Sequence, residues 1–255
     1  DARELAELFP ALRPRNPLYG CLAGLALSLA LACGVGTKPR TTPYPIDTST
    51  LDAGQQMENP PGWYRDAVIY QVWVKAFADG VYNDGIGDLP GLESKLDYLQ
   101  NLGVNTLWLS PIFECAYKGD NMHGYDTTDY YAINDRFGQK KDLKALIDDV
   151  HGRGMRILFD FVPNHTSTQH AWFTDRAAHP GWYVWAGSPL AGWGFPWGGG
   201  SPSDVWRYSG GSYFYSAFGV DSMADLNYES ASARAAIQDV ERYWLDRGFD
   251  GMRMD

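Results

Sequence analysis

Cysteine is scarce in this chain, with three in 255 residues, which excludes a disulfide framework and leaves stability to packing. Positive charge is short as well. Lys and Arg number 21 against 31 Asp and Glu, for a net charge of -10, so the basic face that neutralises nucleic-acid phosphates is missing. An uncharged or cationic ligand fits better. The longest apolar stretch, Leu18 to Cys33, is short for a membrane span. What the chain does have is 45% hydrophobic and 15% aromatic content, enough for a sizeable core and too much for disorder.

The apolar stretch has the length of a signal h-region, and Arg13 and Arg15 precede it. Residues 1–33 therefore read as a signal peptide. Ala30-Leu31-Ala32 is an A-x-A site for ordinary secretion, while Cys33 directly after it resembles the lipobox of bacterial lipoproteins, whose Cys is lipidated. Residues 34–62 follow as a Pro- and Thr-rich linker, the composition of a tether. The expectation is an extracytoplasmic protein, lipid-anchored at Cys33 to a bacterial membrane or secreted.

From Trp63 the pattern alternates strand and helix. Val68 to Val74 is β-branched and aromatic, Val104 to Ser110 is halted by Pro111, and Met155 to Val162 and Phe249 to Asp255 are short apolar runs. Between them Leu92, Leu96 and Leu99, then Leu143, Leu146, Ile147 and Val150, then Ile237, Val240 and Trp244 recur at helical spacing. This is a βαβαβαβ run with parallel strands. About sixty residues, roughly 166–227, separate the third strand from the third helix and are too long for a bare loop. They read as a small inserted subdomain. Its tryptophans Trp182, Trp185, Trp193, Trp197 and Trp206 serve mostly as its core, since aliphatic residues there are few.

Two strands close on carboxylates, Asp160 and Asp255, and strand ends are where parallel folds put their chemistry. Period-2 alternation sends Arg253 and Asp255 out of one face. A cation beside that acid keeps it ionised and aimed, as a nucleophile requires.

DFVPNH (Asp160 to His165), then GFDGMRMD ending at Asp255, with GVNTLWLSP, HGYDTTDYY and MADLN in order, resemble the α-amylase family of glycoside hydrolases, family 13. The resemblance implies the N-terminal half of a (β/α)8 TIM barrel with a subdomain inserted after strand three. It implies retaining cleavage of α-glucosidic bonds in starch-like glucans or malto-oligosaccharides, with Asp255 as nucleophile and Arg253 orienting it. Asp160 would bind that Arg, His165 would hydrogen-bond the glucose, and Tyr125 would stack beneath it, flanked by His123 and Asp126 as further substrate-binding candidates. Asn164 resembles a calcium ligand of the family. Asp84-Gly-Ile-Gly-Asp88 resembles its calcium loop D-x-N-x-D-G-x-G-D, with the remaining positions one residue out of step. The general acid on strand five and a further Asp on strand seven lie outside the four strands read here, so the chain alone is expected to be inactive and prone to aggregate. Other readings are a non-catalytic binding relative and an α-glucan transglycosidase. Retention of Arg253, Asp255, Asp160 and His165 favours an enzyme.

Overall fold

The computed structural model describes residues 57–255 apart from 82 and 121. The signal peptide, Cys33 and the linker as far as residue 56 lie outside the described residues.

Four parallel strands make the central sheet: β1 (Ile69–Val72), β2 (Thr106–Leu109), β5 (Arg156–Phe161) and β11 (Gly251–Met254), in the order β1-β2-β5-β11. Their ladder is in register through Ile69 with Thr106, Thr106 with Arg156, and Leu158 with Gly251. Each strand is shorter than its apolar run. At the first, Val74 already opens a helical turn, α1 (Val74–Phe77), instead of prolonging β1.

The first crossover is two short helices rather than one, α2 (Leu89–Glu93) and α3 (Leu96–Asn101). Asp88 caps α2 by accepting the Gly91 N–H, and Ser94 Oγ donates to the Gly91 carbonyl at 2.7 Å, a side-chain competitor for the backbone at the break. Leu92, Leu96 and Leu99 are nonetheless all buried. The long α4 (Lys140–Gly152) starts at a capping box between Gln139 and Asp142, and its buried stripe is Leu143, Leu146, Ile147 and Val150. Ser230 caps α7 (Ala231–Leu245), which buries Ala233, Ile237, Val240 and Trp244. Phe159 and Phe161 belong to the same buried core as the apolar stripes of these helices. Phe113 stacks on Trp244 at 5.0 Å between ring centroids and tilts against Phe159 at 5.9 Å.

The segment after β2 folds as an antiparallel hairpin, β3 (Phe113–Cys115) with β4 (Thr127–Ile133). The segment after β5 carries β6 (His165–Ser167), α5 (Ala171–Thr174), β7 (Trp185–Ala186), α6 (Pro202–Val205), β8 (Trp206–Ser209), β9 (Ser212–Tyr215) and β10 (Met223–Asp225). β6 pairs with β10, and β7-β9-β8 form a second small sheet. Trp206, Phe214 and Phe173 are buried in this inserted unit. Trp197 departs from the expected core role: it is 64% exposed.

Within the described residues β1 and β11 each have a neighbour on one side only. Ile69, Trp73 and Met254, on these two edges, are about half exposed or more.

Candidate active site

Arg253 and Asp160 are register partners on adjacent parallel strands, so their side chains leave the same face of the sheet. The Asp255 N–H donates to the Phe161 carbonyl at 2.8 Å, which extends the ladder one residue and sets Asp255 at the carboxyl rim. Arg253 Nη1 donates both to Asp160 Oδ1 at 3.0 Å and to Asp255 Oδ1. One guanidinium nitrogen thus ties the two carboxylates together.

The two acids differ in surroundings. Asp160 has a side chain with no exposed surface, whereas Asp255 keeps 22%. Three donors hold Asp160: Arg253, Trp108 Nε1 at 3.1 Å and the Tyr125 hydroxyl at 3.2 Å, the last two on Oδ2. Burial pushes its pKa above the usual carboxylate value, and Arg253 and Trp108 pull it back. The Trp108 ring also lies 5.2 Å from the guanidinium carbon, a cation–π contact. Asp160 is therefore a fully engaged anchor, while Asp255 faces a cleft.

That cleft has a volume of about 450 Å³. Asp255, His123, Tyr125 and His165 line it from the barrel side, and Phe218, Val220 and Met223 from the insertion. Burial, and then the charge of Asp160, push the Tyr125 hydroxyl up to about 12, so it stays a donor. The His123 ring stacks on Tyr125, and its Nδ1 accepts the Tyr125 N–H at 3.0 Å.

His165 is held on both ring nitrogens. Nε2 lies 3.0 Å from the Tyr125 carbonyl and Nδ1 lies 3.2 Å from Asn164 Nδ2. A carbonyl only accepts, so Nε2 carries the proton and Nδ1 accepts from Asn164. Burial lowers the His165 pKa, in keeping with this neutral tautomer. A sugar hydroxyl that takes the Nε2 proton has to displace the Tyr125 carbonyl.

Asp126 falls outside the group. It is buried and does not line the cleft, and its Oδ2 accepts the Tyr117 N–H at 2.9 Å. It braces the loop that carries Tyr125. Trp108 and Phe218 were not foreseen. Trp108 sits between Leu107 and Leu109, where alternation does not announce a functional face, and Phe218 is one aromatic among many.

The calcium candidates do not form a ligand shell. Asp88 spends Oδ1 on the Gly91 N–H and Oδ2 on the Val81 N–H, and Asp84 Oδ1 accepts the Ile86 N–H. Asp79 accepts from Asn83 and Gly85, so the offset loop satisfies itself with its own amides. Asn164 lies against His165 and hydrogen-bonds Asp225. Among the described residues, no three His, Cys, Asp or Glu side chains are placed to hold one ion. Hard cations need several converging oxygens, and the carboxylates of Asp79, Asp84 and Asp88 instead accept backbone N–H groups of their own loop and of Gly91.

A carboxylate steadied by a guanidinium, opening on a cleft at the carboxyl rim of parallel strands, marks part of a TIM-barrel enzyme. The α-amylase catalytic-domain family matches residues 71–255. The chain is 38% identical over 205 residues to an oligo-1,6-glucosidase of Heyndrickxia coagulans, covering 76% of this chain and 35% of that protein. To α-amylase 3 of Dictyoglomus thermophilum it is 37% identical over 198 residues, covering 76% and 37%. The trehalose-6-phosphate hydrolase of Bacillus licheniformis superposes with a TM-score of 0.67 at 34% identity, over 77% of this chain and 36% of that one. The chain belongs to the α-amylase family of glycoside hydrolases. It spans about a third of the length of the relatives it matches.

Proposed function

We propose that this chain supplies the nucleophile side of a retaining α-glucosidase site acting on malto-oligosaccharides or starch-like glucans. The observation that carries the reading is the Asp160–Arg253–Asp255 chain of hydrogen bonds. Arg253 aims Asp255 into the cleft. Asp255 attacks the anomeric carbon as the glycosidic C–O bond breaks, and the departing oxygen takes a proton from a second carboxylic acid. Water then hydrolyses the glycosyl ester. Tyr125 supports the bound ring with its aromatic face.

Among the described residues that line the cleft, Asp255 alone is a carboxylate. A retaining reaction needs two, about 5 Å apart, so the 255-residue chain by itself is expected to release no reducing sugar. In the full-length gene product, Asp255→Asn is expected to abolish hydrolysis of maltotriose and of isomaltose. The second substrate belongs in the panel because several relatives carry the name oligo-1,6-glucosidase. Full turnover in the Asn variant refutes the assignment. Acarbose binding by a full-length protein with no turnover would favour the non-catalytic reading.

We also propose export with lipidation at Cys33, on the LSLALAC pattern. Metabolic labelling with palmitate should be lost in Cys33→Ser, and wild-type protein that takes up no palmitate would leave plain secretion in its place.

A further inference from the structure

The aromatic wall of the cleft does not stop at Phe218. The Phe218 ring meets the His165 ring edge-on at 5.3 Å between centroids and lies 5.7 Å from Trp197. Trp197 is in turn stacked on Phe195 at 5.3 Å, with the planes 9° apart. Rings therefore run without a gap from the cleft to the surface. They are open to solvent: Phe218 is 48% exposed and Trp197 64%. The core of the insertion is filled by other aromatics, Phe173, Trp206 and Phe214, and does not need Trp197.

The backbone beneath Trp197 is built to hold it in place. Phe195-Pro196-Trp197-Gly198 is a turn closed by the Gly198 N–H on the Phe195 carbonyl at 2.9 Å. Pro at its second position and Gly at its fourth are the residues such a turn favours. The Phe195 ring that forms the base is packed against two glycines. A Cβ on Gly200 would lie 2.6 Å from Phe195 Cδ2, and one on Gly219 would lie 3.1 Å from Phe195 Cε1. Tyr215 donates its hydroxyl to the Gly194 carbonyl at 3.0 Å, which ties the loop to β9. An exposed indole on a seated base is a pre-organised face, and pre-organisation lowers the entropic cost of binding.

We propose that Trp197 and Phe218 form a saccharide platform. It binds sugar units that extend from the cleft-bound glucose and makes the enzyme select longer α-gluco-oligosaccharides over disaccharides. The chemistry is that of a flat apolar ring against the C–H face of a pyranose, and continuity with the cleft fixes the occupant as the remainder of the substrate. The proposal rests on the α-glucoside reading above.

The test is the ratio of kcat/KM for maltotetraose over maltose, or isomaltotetraose over isomaltose, in the full-length protein. In Trp197→Ala the ratio is expected to fall about tenfold, and Trp197→Phe, which keeps a ring, is expected to restore it. A ratio within twofold of wild type in Trp197→Ala overturns the platform, as does an equal loss on both substrates. A second readout needs no turnover. In an Asp255→Asn background, maltotetraose should change the tryptophan fluorescence when Trp197 is present and lose most of that change in Trp197→Phe. An identical titration in both overturns the proposal. Full turnover in Asp255→Asn alone would sink the reading of the cleft and leave the fluorescence result to judge the platform.

Discussion

Replacing Asp160 with Asn keeps the shape of the side chain and removes its charge, and the structure says what each orientation of the amide would cost. With its oxygen toward Arg253, the NH2 group faces the Trp108 N–H and the Tyr125 hydroxyl. Tyr125 can turn to accept, but an indole N–H cannot. With the oxygen toward Trp108, the NH2 group faces the guanidinium instead. Either way one donor to this side chain, which itself has no exposed surface, loses its acceptor, worth about 1–3 kcal/mol, and a charge-assisted bond worth about 1.5–3 kcal/mol becomes a neutral one or none. Arg253 keeps 37% of its side-chain surface, so water screens part of this loss. A net cost of about 3 kcal/mol follows, or roughly a hundredfold in kcat/KM. The loss should fall mainly on kcat, because a loosened Arg253 misaims the nucleophile more than it weakens binding of the ground state. Initial rates of the full-length variant on maltotriose and isomaltose measure the effect, with a thermal melt to establish that the variant is folded. A folded variant within threefold of wild type would refute the claim that Asp160 aims Asp255 through Arg253.

Two further perturbations act on the scaffold. Tyr130 is fully buried and donates to the Val162 and His165 carbonyls at 2.7 and 3.0 Å, so Tyr130→Phe should cost about 2–4 kcal/mol in a denaturant titration, since two buried carbonyls lose a shared donor; a loss under 0.5 kcal/mol would contradict this. His170 caps α5 by accepting the Trp172 N–H on Nδ1 at 3.0 Å, and burial, with His179 nearby, lowers its pKa to about 4. The folded state thus resists a proton that the unfolded chain takes up near 6.5, so stability is retained above that pH and is lost, by about 3 kcal/mol, as pH falls from 6.5 to 4. His170→Asn keeps a capping oxygen without the titration and should flatten that part of the pH–Tm curve; an unchanged slope would show that another group carries it.

The parallel strands were legible because β-branched and apolar runs alternate with helical stripes that end at glycines. Gly103 and Gly154 adopt φ of +92° and +71°, as those stops require. The split of the first crossover was not legible. It depends on Ser94 Oγ reaching a backbone carbonyl, and a serine at helical spacing gives no sign of that choice. The β3–β4 hairpin was hidden for a similar reason, since three residues of one strand show no period. In the site, Arg253 and Asp255 could be paired by alternation alone. The bond to Asp160 depends on inter-strand register, a tertiary fact that only the motif resemblance anticipated. The double engagement of His165 and the withdrawal of Asp126 to the Tyr117 amide depend on loop geometry that composition does not encode.

GFDGMRMD contains a second aspartate, and comparing the two explains why position along a strand matters more than residue type. Asp250 precedes β11 at its amino end, and its side chain is 2% exposed. Oδ1 accepts from Asn59 Nδ2 at 3.0 Å, while Oδ2 accepts the Ile157 N–H at 2.8 Å and lies 2.9 Å from His151 Nε2. These partners come from the segment before β1, from β5 and from α4, so Asp250 joins elements and has no oxygen left for a ligand. Asp255, at the carboxyl end of the same strand, has one side-chain partner, Arg253, and a cleft in front of it. In a parallel sheet the helices return to the amino ends and supply donors there, while the carboxyl ends open toward long loops. The same carboxylate is therefore a brace at one end and available for chemistry at the other. Asp250→Asn should accordingly lower the melting temperature of the full-length protein with kcat/KM per folded molecule held within a fewfold, the reverse of the pattern expected for Asp255→Asn. Equal loss of activity in two well-folded variants would mean that the ends of the strand do not divide the work in this way.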